Sequence, residues 1–197
     1  MNFLAHAQLS GNGEDLLIGN FIGDFVKGSE MDNYRLGIRN GIILHRLIDQ
    51  FTDSHAIVKR SKERIRHKYG HYSSVIMDLY YDHFLSKNWK NYSSIDLADY
   101  CSWVYRLMKT NEADLPANFM VMLKYMRTGN WLFNYQFVEG VGKALEGMSR
   151  RAKFDSKMDE ATDLLQAHYQ ELEGDFFEFY PLLQDYCKQE VAKQQAG

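Results

Sequence analysis

The residues whose types and spacing could do chemistry here are acids and histidines set among apolar side chains, since such groups bind divalent ions, move protons and meet phosphate. In Gly41-Ile-Ile-Leu-His45-Arg-Leu-Ile-Asp49-Gln-Phe-Thr-Asp53-Ser-His55, the residues His45, Asp49 and Asp53 recur every four positions and share one face of a helix. In Val75-Ile-Met-Asp78-Leu-Tyr-Tyr-Asp82-His83-Phe-Leu, Asp78 and Asp82 are again four apart, flanked by large apolar residues. Two carboxylates on one buried face repel each other and need a cation, so a divalent ion or an arginine is expected beside them. Asp24 lies in the apolar phrase Ile18-Gly-Asn20-Phe-Ile-Gly23-Asp24-Phe-Val, whose glycines permit close approach by a backbone or a ligand. His6 and Asn20 fit a core role and a site role equally well. Taken singly, such residues more often cap helices, bond within the core or form ion pairs, and Asp53 reads most simply as a cap for the helix that follows.

Imidazoles and carboxylates without thiolates favour Mn²⁺ or Mg²⁺, with Fe²⁺ possible, over structural zinc. The chain has two cysteines, Cys101 and Cys187, far apart and outside any CxxC pattern, so reduced thiols are expected. A formal charge of −3 predicts neither nucleic-acid nor membrane binding from the overall field. The main basic patch runs from Val58 to Lys68, with six basic side chains against the acid Glu63. It reads either as a solvated helix face or as a docking surface for an acidic protein or a phosphate-rich ligand, and no aromatic-interleaved motif beside it suggests nucleic acid. The first ten residues lack the basic start and apolar run of a secretory signal, and no stretch has the length and apolarity to span a bilayer, which predicts a cytoplasmic protein.

The elements that must position these residues are helices. Apolar spacing predicts helices over about 15–26, 35–51, 55–68, 74–89 and 95–109, one from Pro116 to the Gly129-Asn130 pair, and others over 133–148, 156–173 and 176–192. No run alternates as a strand would. With 197 residues, 45% of them hydrophobic, an all-α single-domain bundle is expected.

The phrases Asn2-Phe-Leu-Ala-His6, Gly19-Asn-Phe-Ile-Gly-Asp24-Phe-Val-Lys-Gly28, the His45 to His55 run and Asp78-Leu-Tyr-Tyr-Asp82-His83-Phe-Leu together resemble the acyl carrier protein phosphodiesterase family. The resemblance is strongest over the first ninety residues, and later includes Trp131-Leu132 and Ser149-Arg150-Arg151. It implies an all-helical relative of HD-type phosphohydrolases, active with Mn²⁺, that removes 4'-phosphopantetheine from the serine of holo acyl carrier protein. Water activated by the ion would attack phosphorus, and the serine oxygen would leave with help from an acid. On that reading Asp24, His45, Asp78 and Asp82 hold the metal, with Asp24 and Asp82 also catalytic and His83 as acid or base. His6, Asn20, Asp49 and His55 are supporting groups or alternative ligands, and Arg60, Arg64 and Arg66, alongside Arg150 and Arg151, dock the acidic carrier. The HD pattern itself is absent, since the adjacent pair here is Asp82-His83 in reversed order. Two rival readings stand beside this one: a phosphohydrolase of nucleotides or other small phosphoesters, and a non-enzymatic helical module that binds an acidic partner.

Overall fold

A computed structural model describes residues 1–196. Its eleven helices are α1 (Phe3–Leu9), α2 (Glu14–Ile22), α3 (Leu36–Ser54), α4 (Ala56–Tyr69), α5 (Ser73–Lys87), α6 (Leu97–Thr110), α7 (Ala117–Thr128), α8 (Trp131–Asn134), α9 (Val138–Arg151), α10 (Ala161–Ala167) and α11 (Tyr169–Ala196). No strand occurs among the described residues, so the architecture is all-α as the periodicity predicts.

Helix α5 is the central element. Eight of its consecutive residues, Leu79 to Ser86, are buried, because α1, α4, α9 and α11 pack around it. Tyr81 and Phe84 meet Phe176 of α11 at ring-centroid distances of 5.7 and 6.0 Å. Fully burying such side chains contributes roughly 1.5–3 kcal/mol each, so this seam ties the C-terminal helix to the middle of the fold.

Helices α2 and α3 touch through their main chains. A Cβ on Gly19 would lie 1.9 Å from the Ile38 carbonyl oxygen, and one on Gly41 would lie 2.2 Å from that of Leu16. Glycine at both positions lets the two helices approach closer than any side chain allows.

Several expected boundaries move. Helix α1, which carries His6, falls in a stretch to which apolar spacing assigns no element, because seven residues give too short a periodic signal. The expected 133–148 helix is instead α8 and α9, broken where His83 Nδ1 donates to the Tyr135 carbonyl at 2.7 Å and takes it out of the helical ladder. The last two expected helices divide at His168 rather than near Gly174, and α11 runs on through Pro181. Pro181 is exposed, so the acceptor it leaves unpaired faces water.

Candidate metal centre

Four elements converge on one cluster. Helix α1 supplies His6, α2 supplies Asn20, the tight turn Gly23–Phe25 supplies Asp24, and α3 supplies His45 and Asp49. Gly23 is required there, since a Cβ on it would sit 2.2 Å from Cγ of the His45 ring. The two imidazoles stack at 4.0 Å and 16°.

Asn20 orients both rings. Its Nδ2 donates to the His6 carbonyl (2.8 Å) and Ser10 Oγ (2.9 Å), which leaves Oδ1 to accept from His6 Nδ1 at 2.7 Å. Its main-chain carbonyl accepts from His45 Nδ1, also at 2.7 Å. With both Nδ1 atoms committed as donors, both Nε2 atoms point inward. His6 Nε2 lies 3.3 Å from Asp49 Oδ1, and His45 Nε2 lies 3.2 Å from Asp49 Oδ2 and 3.2 Å from Asp24 Oδ1. One donor atom from each of His6, His45 and Asp49 lies within 4.8 Å of the others.

Electrostatics separates the two histidines. Burial, with the charge of His45 beside it, pushes His6 down to about 4, so His6 is neutral at pH 7. Its unprotonated Nε2 then faces the Asp49 carboxylate and the Met1 carbonyl, 3.2 Å away, with no proton between them. That arrangement of lone pairs is stabilised by a cation, and the Met1 ammonium, 3.4 Å from Asp49 Oδ1, supplies part of that charge. Burial also pulls His45 down, but hydrogen bonds to Asp24 and Asp49 outweigh it and raise His45 to about 9. Asp24 is held below the usual carboxylate range mainly by its hydrogen bond to His45. Burial pushes Asp49 up, and His45 and His6 together bring it well below that range. The Asp24 side chain is 67% exposed, so it forms the open side of the cluster.

The other expected site residues have different work. Asp78 lies 3.1 Å from the Met1 amino nitrogen, so the cation its burial demands is an ammonium. Asp82 is fully buried and accepts from the Leu4 and Ala5 N–H groups at 2.8 and 3.1 Å, capping α1 from a neighbouring helix; burial pushes it up to about 7. It therefore positions the helix that carries His6 rather than facing a ligand. His83 bonds the Tyr135 carbonyl through Nδ1 and lies with Nε2 2.8 Å from the Tyr169 hydroxyl, partners that belong to no element of the cluster. His55 caps α4 by accepting from Ile57 N–H, and packs 5.0 Å from Phe179. Asp53 pairs with Lys62 at 2.6 Å instead of capping.

Of the arginines expected to dock a partner, Arg60, Arg64 and Arg150 are engaged within the fold. Arg60 and Arg64 both bond Asp175 of α11 at 2.5 Å, and Arg60 reaches Glu178 at 2.6 Å. Arg66 stays exposed without an ion pair among the described residues, Arg150 pairs with Glu146, and Arg151 lines an apolar groove beside Trp131.

The family model described as acyl carrier protein phosphodiesterase matches residues 1–183. A protein named acyl carrier protein phosphodiesterase from Klebsiella pneumoniae (strain 342) is 36% identical over 183 residues, covering 92% of this chain and 94% of the relative. Proteins of the same name from Salmonella agona (strain SL483) and Enterobacter sp. (strain 638) are each 34% identical with the same coverage. No solved structure matches the chain. With a family model and curated relatives both spanning nearly its whole length, the chain belongs to the acyl carrier protein phosphodiesterase family.

Proposed function

We propose that the protein hydrolyses the phosphodiester between 4'-phosphopantetheine and the serine of holo acyl carrier protein, using a divalent cation held by His6, His45, Asp49 and Asp24. The family supports the reaction. The observation that carries the metal is the double use of Asn20, which fixes both Nδ1 atoms as donors and leaves both Nε2 atoms facing Asp49. Imidazole and carboxylate donors suit Mn²⁺ first, with Mg²⁺ or Fe²⁺ as alternatives. Bound there, the ion would neutralise charge on a phosphoryl oxygen and acidify water.

The protein's own groups do the rest. Asn20 holds the imidazoles in one tautomer, Asp82 anchors α1 so that His6 keeps its place, and Asp24 presents an ionised carboxylate at the open side, where it can take a proton from the attacking water. Among the described residues no helix is long and apolar enough to cross a membrane. Cys101 and Cys187 are buried free thiols, as a reducing compartment sustains, and the cytoplasm is the proposed location.

The test is incubation of holo carrier protein with enzyme and Mn²⁺ or chelator, followed by intact mass. Loss of the phosphopantetheine mass only with metal, and not with His45→Ala or Asp49→Ala, is the expected result. Turnover that persists in chelator would overturn the metal reading, and an unchanged carrier mass under every condition would overturn the reaction.

A further inference from the structure

Helices α6 and α7 flank an open cleft of about 880 Å³. Arg106 and Lys109 line it from α6, Lys124 and Arg127 from α7, and Glu112 is its one acid. All four cations are exposed, and none has an ion pair among the described residues. Four uncompensated positive charges around one concavity make a field that attracts an anionic surface and repels a cationic one.

The cleft continues into an apolar groove. Thr128 borders both, and the groove runs along Val121, Tyr125 and Trp131 to Phe25, with Arg151 at its edge. Val121 and Tyr125 are 63% and 62% exposed, unusual for side chains of their size. Phe25 rests on Phe119 of α7 at 5.1 Å, and the residue before it is Asp24 of the candidate metal centre. One helix, α7, thus presents cations toward the cleft and apolar side chains toward a groove lined by Phe25, the sequence neighbour of Asp24.

We propose that the α6–α7 cleft is where the acidic carrier protein docks, with its prosthetic arm lying along the Tyr125–Trp131 groove toward Asp24. The inference rests on the proposed reaction for the identity of the partner, while the surface stands on charge and continuity. An acidic protein fits better than nucleic acid, because the four cations line one compact cleft and the groove beside it is apolar.

The test uses apo carrier protein, which lacks the arm and cannot turn over, so docking is read separately from chemistry. Labelled apo carrier is titrated by fluorescence anisotropy at low salt with the wild type, with Lys109→Glu/Arg127→Glu, and with Lys59→Glu/Arg66→Glu on α4. The cleft variant is expected to weaken Kd by about tenfold or more, and the α4 variant by less than about twofold, with the difference shrinking as salt rises. Because reversal could disturb folding, Lys109→Gln/Arg127→Gln is measured too and is expected to lose about threefold. Cleft variants that bind as the wild type does, α4 variants that lose as much, or a single-stranded oligonucleotide that binds as tightly as the carrier would each overturn the proposal. Apo carrier that binds, together with holo carrier that keeps its arm, would leave docking standing and sink the reaction instead.

Discussion

The basic helix α4 and the α6–α7 cleft carry similar charge on paper and differ in how much of it is available. On α4, Arg60 and Arg64 share Asp175, Lys62 holds Asp53 and Lys68 holds Glu160, so four of its six cations are neutralised inside the fold. In the cleft no cation is paired among the described residues. A charge counted along a sequence is available to a partner only if the fold leaves it uncompensated. Asp175, which pairs with two of these cations, lies more than a hundred residues from its arginines.

The comparison breaks most sharply at Asp175. It is buried and accepts from Arg60, Arg64 and Ser61, so Asp175→Asn is expected to lower unfolding free energy by about 2 kcal/mol in chemical denaturation while leaving carrier affinity unchanged. Cleft reversals should do the opposite, moving affinity with stability within about 0.5 kcal/mol of the wild type. If Asp175→Asn tightened carrier binding, the α4 cations would be latent rather than spent.

The metal centre sharpens the contrast, because its compensation can be exchanged. Asn20→Ala removes the side-chain acceptor of His6 Nδ1, while the main-chain carbonyl that holds His45 stays, and is expected to weaken Mn²⁺ binding 10- to 100-fold by calorimetry; an unchanged affinity would deny the Asn20 side chain its orienting role.

The proton on His45 offers a smaller effect of definite sign. Its folded-state pKa is raised to about 9, so the metal-free protein gains stability from it that is complete below about 6.5 and lost as pH rises through 9. Binding Mn²⁺ at pH 7 should therefore expel about one proton, seen as a dependence of the calorimetric enthalpy on buffer ionisation. A buffer-independent enthalpy would mean that His45 keeps its proton. The smallest expected change is Lys62→Gln, which removes a pair whose acid is largely exposed and should alter stability by only about 0.3 kcal/mol.

Much of this was legible before any coordinates. The period of the apolar residues gives α3 to α7 to within a few positions, and the face shared by His45 and Asp49 follows from their spacing of four. His6, Asn20 and Asp24 stand out for being polar in apolar phrases, and the fold brings them to that face. What spacing cannot give is the partner across the fold. Asp78 and Asp82 look alike in sequence, yet one meets an ammonium and the other two main-chain N–H groups. His83 looks like a proton carrier in sequence, and its Nδ1 bonds the Tyr135 carbonyl in the turn between α8 and α9. Spacing does not single out the cleft cations because they are split between two helices, although Arg106 with Lys109 and Lys124 with Arg127 repeat the same three-residue spacing.

The main-chain contact of Gly19 with Ile38 and of Gly41 with Leu16 has a consequence for how the protein tolerates change. Asn20 and His45 ride on helices whose separation is set by backbone atoms, so exchanging leucine for isoleucine elsewhere in the core has little leverage on the distance between them. Mutational drift in the interior and the geometry of the ligand set are thereby uncoupled, and the vulnerability is concentrated in two glycines that perform no chemistry themselves.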